Sequence, residues 1–441
     1  MRWLYTALLV LLVPFQLAYL WWRGRKNPDY RKRWGERFGF GSPRTFSPRD
    51  DEVIYIWIHA VSVGEFEAAR PLIAALQLQQ PEAEFLLTTT TPTGAARVAE
   101  AGFAHRYLPY DLPGAVGRFL DRVEPNIAIV METELWPNLF AACRTRAIPL
   151  YLVNVRLSEK SAAGYQRWAA SLVRFALQQP TRIAAQHEDD AKRLIALGAP
   201  AEKVRITGSL KFEVSVPDEA KANGAALHAA WGERPVWIAA STRTDGKQDE
   251  ESIVLEAHRQ IRAQFPNALL ILAPRHPERF EHVAHVIDAT GLRFGRYSQQ
   301  EALEDSENVI ARSETSKQFM DVFLLDTLGQ LATYYAAADV AFVGGSLLNL
   351  GLHNPIEPAA LAKPVLFGPH RFNFKAISAQ MIEASAAQEV QSADLLAQAV
   401  LGLFENPDQC RAMGEAGQRL VMQSRGATQR VLKLLQGDSN V

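Results

Sequence analysis

At 441 residues, with 48% hydrophobic and 22% charged side chains, the chain is too long for one ordinary core and can fill two. A net charge of -1 argues against a nucleic-acid binder that depends on a broad basic face. Two cysteines, Cys143 and Cys410, lie far apart without metal or redox spacing, which fits a reducing compartment.

Trp3 to Trp22 is a twenty-residue run without an ionised group, long enough to cross a bilayer as a helix. Only Arg2 precedes it. Arg23, Arg25, Lys26, Arg31, Lys32 and Arg33 follow, and Trp21 and Trp22 sit at interfacial depth. The positive-inside rule then places the body of the protein on the cytoplasmic side. Pro14 and Gln16 also suit a tilted or interfacial helix. Residues 1–50 therefore read as a membrane anchor with a basic, then Pro/Ser-rich linker.

From residue 51 the pattern alternates. Val53–His59 is a nearly all-apolar strand, and a Gly-containing turn leads into a helix with a buried Leu/Ile stripe. Further strands are expected at Glu84–Thr89, Arg106–Pro109, Ile127–Met131, Leu150–Val155, Arg182–Ala185 and Val204–Thr207, with helical stretches between them. A polar interval after Phe212 marks a connection. The alternation resumes at Val236–Ala240, Leu269–Ala273, Val322–Leu325, Val340–Val343 and Val365–Phe367, and the chain closes on helices. The prediction is an α/β protein of two Rossmann-like, doubly wound domains facing a cleft. They span 51–215 and 216–405, and a helical tail over 406–441 packs back on the first.

The carboxyl ends of those strands are where chemistry is expected. Glu65, at a helix start after the first strand, can take a proton from an alcohol or simply complement the helix dipole. Glu132 and Glu134 leave the fourth strand together, and Glu132 lies nearer the strand end. Arg275 and His276 emerge from a strand end, where a guanidinium suits a phosphate or a surface ion pair. Ser209 and Lys211 can ring the same anion, although Lys211 equally suits a solvated loop. Gly344 and Gly345 follow a buried strand, so their backbone N–H groups offer an anion cradle. Asn354 and Glu357 come just after, and Glu357 can reach paired sugar hydroxyls or serve the helix dipole. His59 and His353 read as orienting side chains. No HExxH, DxD-like or Cys/His ligand spacing supports a metal, and no GxxxxGK[ST] loop supports a P-loop hydrolase.

Several segments together resemble one family: 58-IHAVSVGE-65, 88-TTTTPTG-94, 131-METELWPN-138, 154-NVRLS-158, 208-GSLKF-212, 274-PRHPERF-280 and 351-GLHNPIEPAA-360. In order and over almost the whole chain they are similar to the 3-deoxy-D-manno-octulosonic acid (Kdo) transferases of Gram-negative bacteria, lipid A-modifying glycosyltransferases of the GT-B architecture. The resemblance implies inverting transfer of Kdo from CMP-Kdo to the 6'-hydroxyl of a tetraacylated lipid A precursor, releasing CMP. It implies an inner-membrane protein with cytoplasmic catalytic domains, no cofactor and no nucleic-acid partner. Glu65 falls on the family's catalytic base. Glu132 and Lys211 fall on substrate- or transition-state-stabilising positions, and Ser209, Arg275, His276, Gly344, Gly345, Asn354 and Glu357 on donor-binding segments. Another GT-B nucleotide-sugar transferase or a sugar-nucleotide epimerase is the alternative on the same scaffold. The chain departs from the family at Arg243, where a histidine is common, at Gln330 in Asp326–Leu331, and at Gly351-Leu352.

Overall fold

The computed structural model describes residues 2–25, 27–41, 53–214, 216–232, 234–299 and 320–437. The linker reading of 42–50 and the charge of Lys26 lie outside them. Two compact units are present: residues up to Glu213 together with those from Ser424 onward, and Val214–Gln423. The second unit is thus inserted, in sequence, into the first.

Each unit holds a seven-stranded, all-parallel sheet. In the first, the order is β3-β2-β1-β4-β5-β6-β7. The strands are β1 (Tyr55–His59), β2 (Glu84–Thr89), β3 (Ala104–Tyr107), β4 (Ile127–Met131), β5 (Leu150–Val155), β6 (Arg182–Ala185) and β7 (Val204–Ile206). All five residues of β1, all five of β4 and all six of β5 are buried, as helix-covered parallel strands must be. One face carries Ile56, Ile58, Leu72 and Leu76 together with Val431, Leu432 and Leu435 from the last helix, Ala427–Gln436; the other face packs Trp57 edge-on against Phe119 at 5.1 Å between ring centroids.

The second sheet repeats the plan as β10-β11-β9-β8-β12-β13-β14. Here β8 is Val236–Thr242, β9 Leu269–Pro274, β10 Phe294–Arg296, β11 Val322–Leu324, β12 Val340–Val343, β13 Val365–Phe367 and β14 Ala387–Glu389. The three-residue β10 and β14 at the sheet edges are additions to the expected set, being too short to show a period in sequence. β3 begins two residues earlier than the apolar run suggests. The expected long terminal helix is two helices, Pro407–Ser424 and Ala427–Gln436, separated at Gly426, whose φ of 88° only glycine adopts without strain. The first belongs to the second unit, and the second to the first.

In both sheets the strand order reverses between the first strand and its crossover partner, at β1/β4 and β8/β12. Loops leaving the carboxyl ends at such a reversal diverge and leave a crevice, which is where ligands of this architecture bind. Glu65 and Glu132 leave β1 and β4; Arg243 and Gly344 leave β8 and β12.

Candidate functional site

At the first reversal, β1 ends on His59 and the chain turns through 60–62 into the helix Val63–Gln79, with Ser62 in the extended N-cap conformation. That turn places Glu65 in the first helical turn. Its Oε2 accepts the Val61 N–H at 2.7 Å. Burial pushes the Glu65 carboxyl up to about 8, aided by the negative charges of Glu132 and Glu134; the Val61 N–H and Lys211 pull it the other way. A carboxyl with that affinity for a proton has the strength a general base needs near neutral pH.

Glu132 is the first residue past β4. Its φ of 56° is left-handed, a conformation that costs a non-glycine residue about 1–3 kcal/mol and recurs where function demands an unusual side-chain direction. The backbone is held there by its N–H to Val153 O at 2.8 Å. From this position the carboxylate meets Lys211, with Nζ 3.0 Å from Oε1. Lys211 rides on the short turn Leu210–Phe212, which is fixed twice. Leu210 N–H donates to Asn154 Oδ1 at 3.0 Å, and Lys211 N–H donates to Ser209 Oγ at 3.4 Å. Asn154, itself left-handed at φ 61°, therefore serves as a bracket between β5 and the turn. Ser209 is only 2% exposed, and its hydroxyl caps the lysine turn. Glu134, second to Glu132 on sequence, is pushed up to about 7 by burial and by Glu132. His59 bonds through Nδ1 to Thr88 Oγ1 at 2.9 Å, and its Nε2 is buried with no partner among the described residues. Burial lowers its pKa to about 4, so the ring is neutral. An orienting role fits it better than a charged one.

The second reversal is built differently. The N–H groups after β12, expected to cradle a substrate anion, are already occupied. Gly344 N–H pairs with Ala240 O at 2.8 Å. The Gly345, Ser346 and Leu347 N–H groups converge on the Glu250 carboxylate at 2.7, 2.9 and 2.9 Å, and Arg243 N–H joins them at 3.0 Å. Glu250, fully buried at the start of the helix Glu250–Gln264, is an internal anion filling the glycine turn. This corrects the reading of Gly344 and Gly345 as direct phosphate donors. Their role is steric: Gly345 has φ 74°, and a Cβ there would stand 2.5 Å from Gly351 O. Neighbouring Glu251 accepts from Thr242 Oγ1 at 2.8 Å and pairs with Arg279 at 3.0 Å. The acidic 249–251 run is thus scaffold.

Positive charge gathers beside this filled turn. His353 is pushed down to about 3 by burial and by Arg275, Arg243 and His276. His276 is lowered by burial and then by Arg243, with Arg275 adding to it. Four basic side chains therefore share one neighbourhood. Arg275 is exposed, while its backbone is fixed by N–H to Thr242 O at 3.1 Å. Arg243 Nε and His353 Nε2 are buried without a partner among the described residues. Unsatisfied buried donors of this kind call for an acceptor. Sequence marks Arg243 only as a departure from the family pattern; its place directly after β8, at the reversal, is the available signal. Asn354 Oδ1 accepts from Ile356 N–H at 3.0 Å and Asn354 Nδ2 donates to Glu357 Oε1 at 3.0 Å, so these two residues orient each other. Among the described residues no three His, Cys, Asp or Glu side chains group as metal ligands.

A family model described as 3-deoxy-D-manno-octulosonic-acid transferase (kdotransferase) matches residues 32–214. A 3-deoxy-D-manno-octulosonic acid transferase of Haemophilus influenzae is 41% identical over 440 residues, covering 98% of each chain. The chain belongs to the Kdo transferase family. A Bordetella pertussis Kdo transferase is 39% identical over 99% of both chains. Among solved structures, the UDP-GlcNAc 2-epimerase of Neisseria meningitidis bound to UDP-GlcNAc has a TM-score of 0.56 at 13% identity, covering 87% of this chain and all of that one. At that identity the likeness concerns fold: two doubly wound domains of the GT-B class. As a Kdo transferase, the chain is a glycosyltransferase of lipopolysaccharide synthesis.

Proposed function

We propose that the protein transfers Kdo from CMP-Kdo to the 6'-hydroxyl of a tetraacylated lipid A precursor, with inversion at the anomeric carbon. The bulk of the protein then lies at the cytoplasmic face of the bacterial inner membrane. The observation that carries the reading is the raised pKa of Glu65 beside the Glu132–Lys211 pair. The ionised Glu65 carboxylate takes the proton of the acceptor hydroxyl as its oxygen attacks the anomeric carbon. Breaking the bond to CMP leaves positive charge on the sugar ring and negative charge on the phosphate. Lys211, held by Glu132 and by the Asn154-bracketed turn, compensates the donor's carboxylate. Arg275, with Arg243 Nε and His276, receives the phosphate charge, and Asn354 with Glu357 addresses the nucleotide. CMP is a stable leaving group, so electrostatic stabilisation of its phosphate takes the place of a strong general acid. None of these roles requires a bound cofactor or metal, and the scheme proceeds without one.

The test is the purified chain with CMP-Kdo and the lipid A precursor. CMP release should accompany a mass gain of one or more Kdo units, and Glu65→Gln should lower the rate of both by about 10³ while CMP still binds. Normal turnover by Glu65→Gln would overturn the base assignment. Conversion of a nucleotide-sugar without any lipid acceptor would favour epimerisation.

A further inference from the structure

The N-terminal helix, Arg2–Arg23, is long and apolar enough to span a membrane: 22 residues holding an 18-residue stretch of mean hydropathy 1.8. Its contacts say something else. Near its start the Tyr5 hydroxyl donates to the Asp111 carboxylate, Thr6 Oγ1 accepts from Asn138 Nδ2 at 2.9 Å, and the Arg2 guanidinium lies over the Phe175 ring at 5.5 Å. Past its end, Arg31 returns to Trp21 O at 3.1 Å, and two residues on Arg33 bonds His105 O at 2.8 Å. The start of the helix is therefore docked on the first unit, and the segment after its end is tied back to the helix by Arg31 and to the unit by Arg33. Along the helix, Leu20 is buried and Arg2, Thr6, Leu9, Val13 and Leu17 are half-buried, and their spacing of three or four places them on one helical face. Leu4, Leu8, Leu11, Phe15 and Trp22 are exposed on the opposite face, Phe15 at 72%.

A crossing helix would separate Thr6 from Arg23 by about 25 Å along the bilayer normal. Asn138 and the buried Asp111 would have to follow Thr6 into hydrocarbon. The Asp111 carboxylate already serves the backbone N–H groups of Asn138 and Leu139 at 3.0 and 2.7 Å, so it cannot move with the helix. Bringing that part of the unit to mid-bilayer would bury charge and irregular backbone in lipid, at several kcal/mol per group.

We propose that this helix does not cross the membrane but lies in its plane, riveted to the first unit along one face, with the opposite face sunk into the cytoplasmic leaflet. The occupant of the exposed stripe is an anionic lipid surface. The charge pattern selects it: tryptophans stand near both ends, at Trp3 and at Trp21–Trp22, and Arg2, Arg23, Arg25, Arg31 and Lys32 flank the apolar stripe where headgroup phosphates lie. Arg31 and Arg25 also stack on Trp21, each 5.0 Å from the ring, which joins the two interfacial elements. The arrangement fixes the first unit's height at the interface, so an acylated acceptor is taken from the side, within its own leaflet. This inference is independent of which sugar is moved.

The experiment uses the full chain with Cys410→Ser, since Cys143 is buried. Single cysteines at Leu4, Leu11 and Phe15 carry an environment-sensitive fluorophore in vesicles of phosphatidylethanolamine and phosphatidylglycerol containing lipids brominated at graded depths. An in-plane helix gives one shallow depth at all three positions, and Leu4→Cys reacts with an impermeant maleimide only from the side bearing the catalytic units. A central depth at Leu11 with labelling of Leu4→Cys from the opposite side would overturn the proposal. So would a stripe that stays dark to brominated lipid while the chain associates with a second copy. Replacing Arg23 and Arg25 by Gln should lower partition onto these vesicles roughly fivefold per charge and leave partition onto neutral vesicles unchanged.

Discussion

Glu65 and Glu250 stand at equivalent places in the two units, each in the first turn of a helix that follows the opening strand of its sheet. Their surroundings set them apart. Glu250 accepts four backbone N–H groups and is closed to any ligand. Glu65 accepts one and is only half-buried, and its other neighbours include two carboxylates. Burial raises the proton affinity of both carboxyls; four fixed donors counter it at Glu250, and a single one does so at Glu65, which is pushed up to about 8. The same residue type at the same topological station is thus a carboxyl with one fixed donor and a raised proton affinity in one unit and internal wiring in the other. Counting donors is what separates them.

The largest way to break the comparison is Glu65→Gln. Loss of the base should lower turnover by about 10³, measured as CMP release, with CMP affinity kept. Its stability readout has a definite sign. The unfolded carboxyl gives up its proton near 4.5 and the folded one near 8, so the wild type loses stability as pH rises through that window. Glu65→Gln, which cannot ionise, should therefore melt higher than the wild type at pH 8, with the gain fading towards pH 4.5. Next in size is Arg275→Ala, expected to reduce kcat/KM for the donor by roughly 10²–10³, with acceptor KM unaffected. An effect confined to the acceptor would contradict its placement at the phosphate.

Glu250→Ala sharpens the contrast from the other side. Removing the internal anion leaves four N–H groups without an acceptor, at about 1–3 kcal/mol for a buried group left unsatisfied. The melting temperature should fall and donor KM should rise tenfold or so before kcat changes, which calorimetry and a donor titration would separate. The mildest test is the pH profile. Because Glu65 must be ionised to act, kcat/KM should rise about tenfold per unit, bend near pH 8 and level off above it, and a profile flat from pH 6 to 8 would point to a different base.

Much of this is legible in the sequence, for physical reasons. Parallel strands buried on both faces write themselves as unbroken apolar runs, so Ile127–Met131, Leu150–Val155 and Val340–Val343 match the structure to the residue. Glu65 and Glu132 are visible because they closely follow such strands. What escapes are pairings across long sequence separations. Nothing in the Gly344–Gly345 turn reveals that an acid 95 residues earlier fills it. A serine that caps a buried turn reads like any other, so the bond from Lys211 N–H to Ser209 Oγ is not visible in sequence. The left-handed backbone of Glu132 is equally hidden, since it is held by Val153 on another strand.

The insertion of the second unit within the first has a consequence for biosynthesis. Ala427, Val431, Leu432 and Leu435 belong to the same apolar cluster as Ile56 and Leu72, so the sheet that presents Glu65 gains this wall only once residues 427–435 have been made. A ribosome that stalls, or a message cut short before Ala427, yields a polypeptide whose proton-accepting half is left with an open seam. Truncated products should consequently be cleared by proteases instead of persisting as partial enzymes.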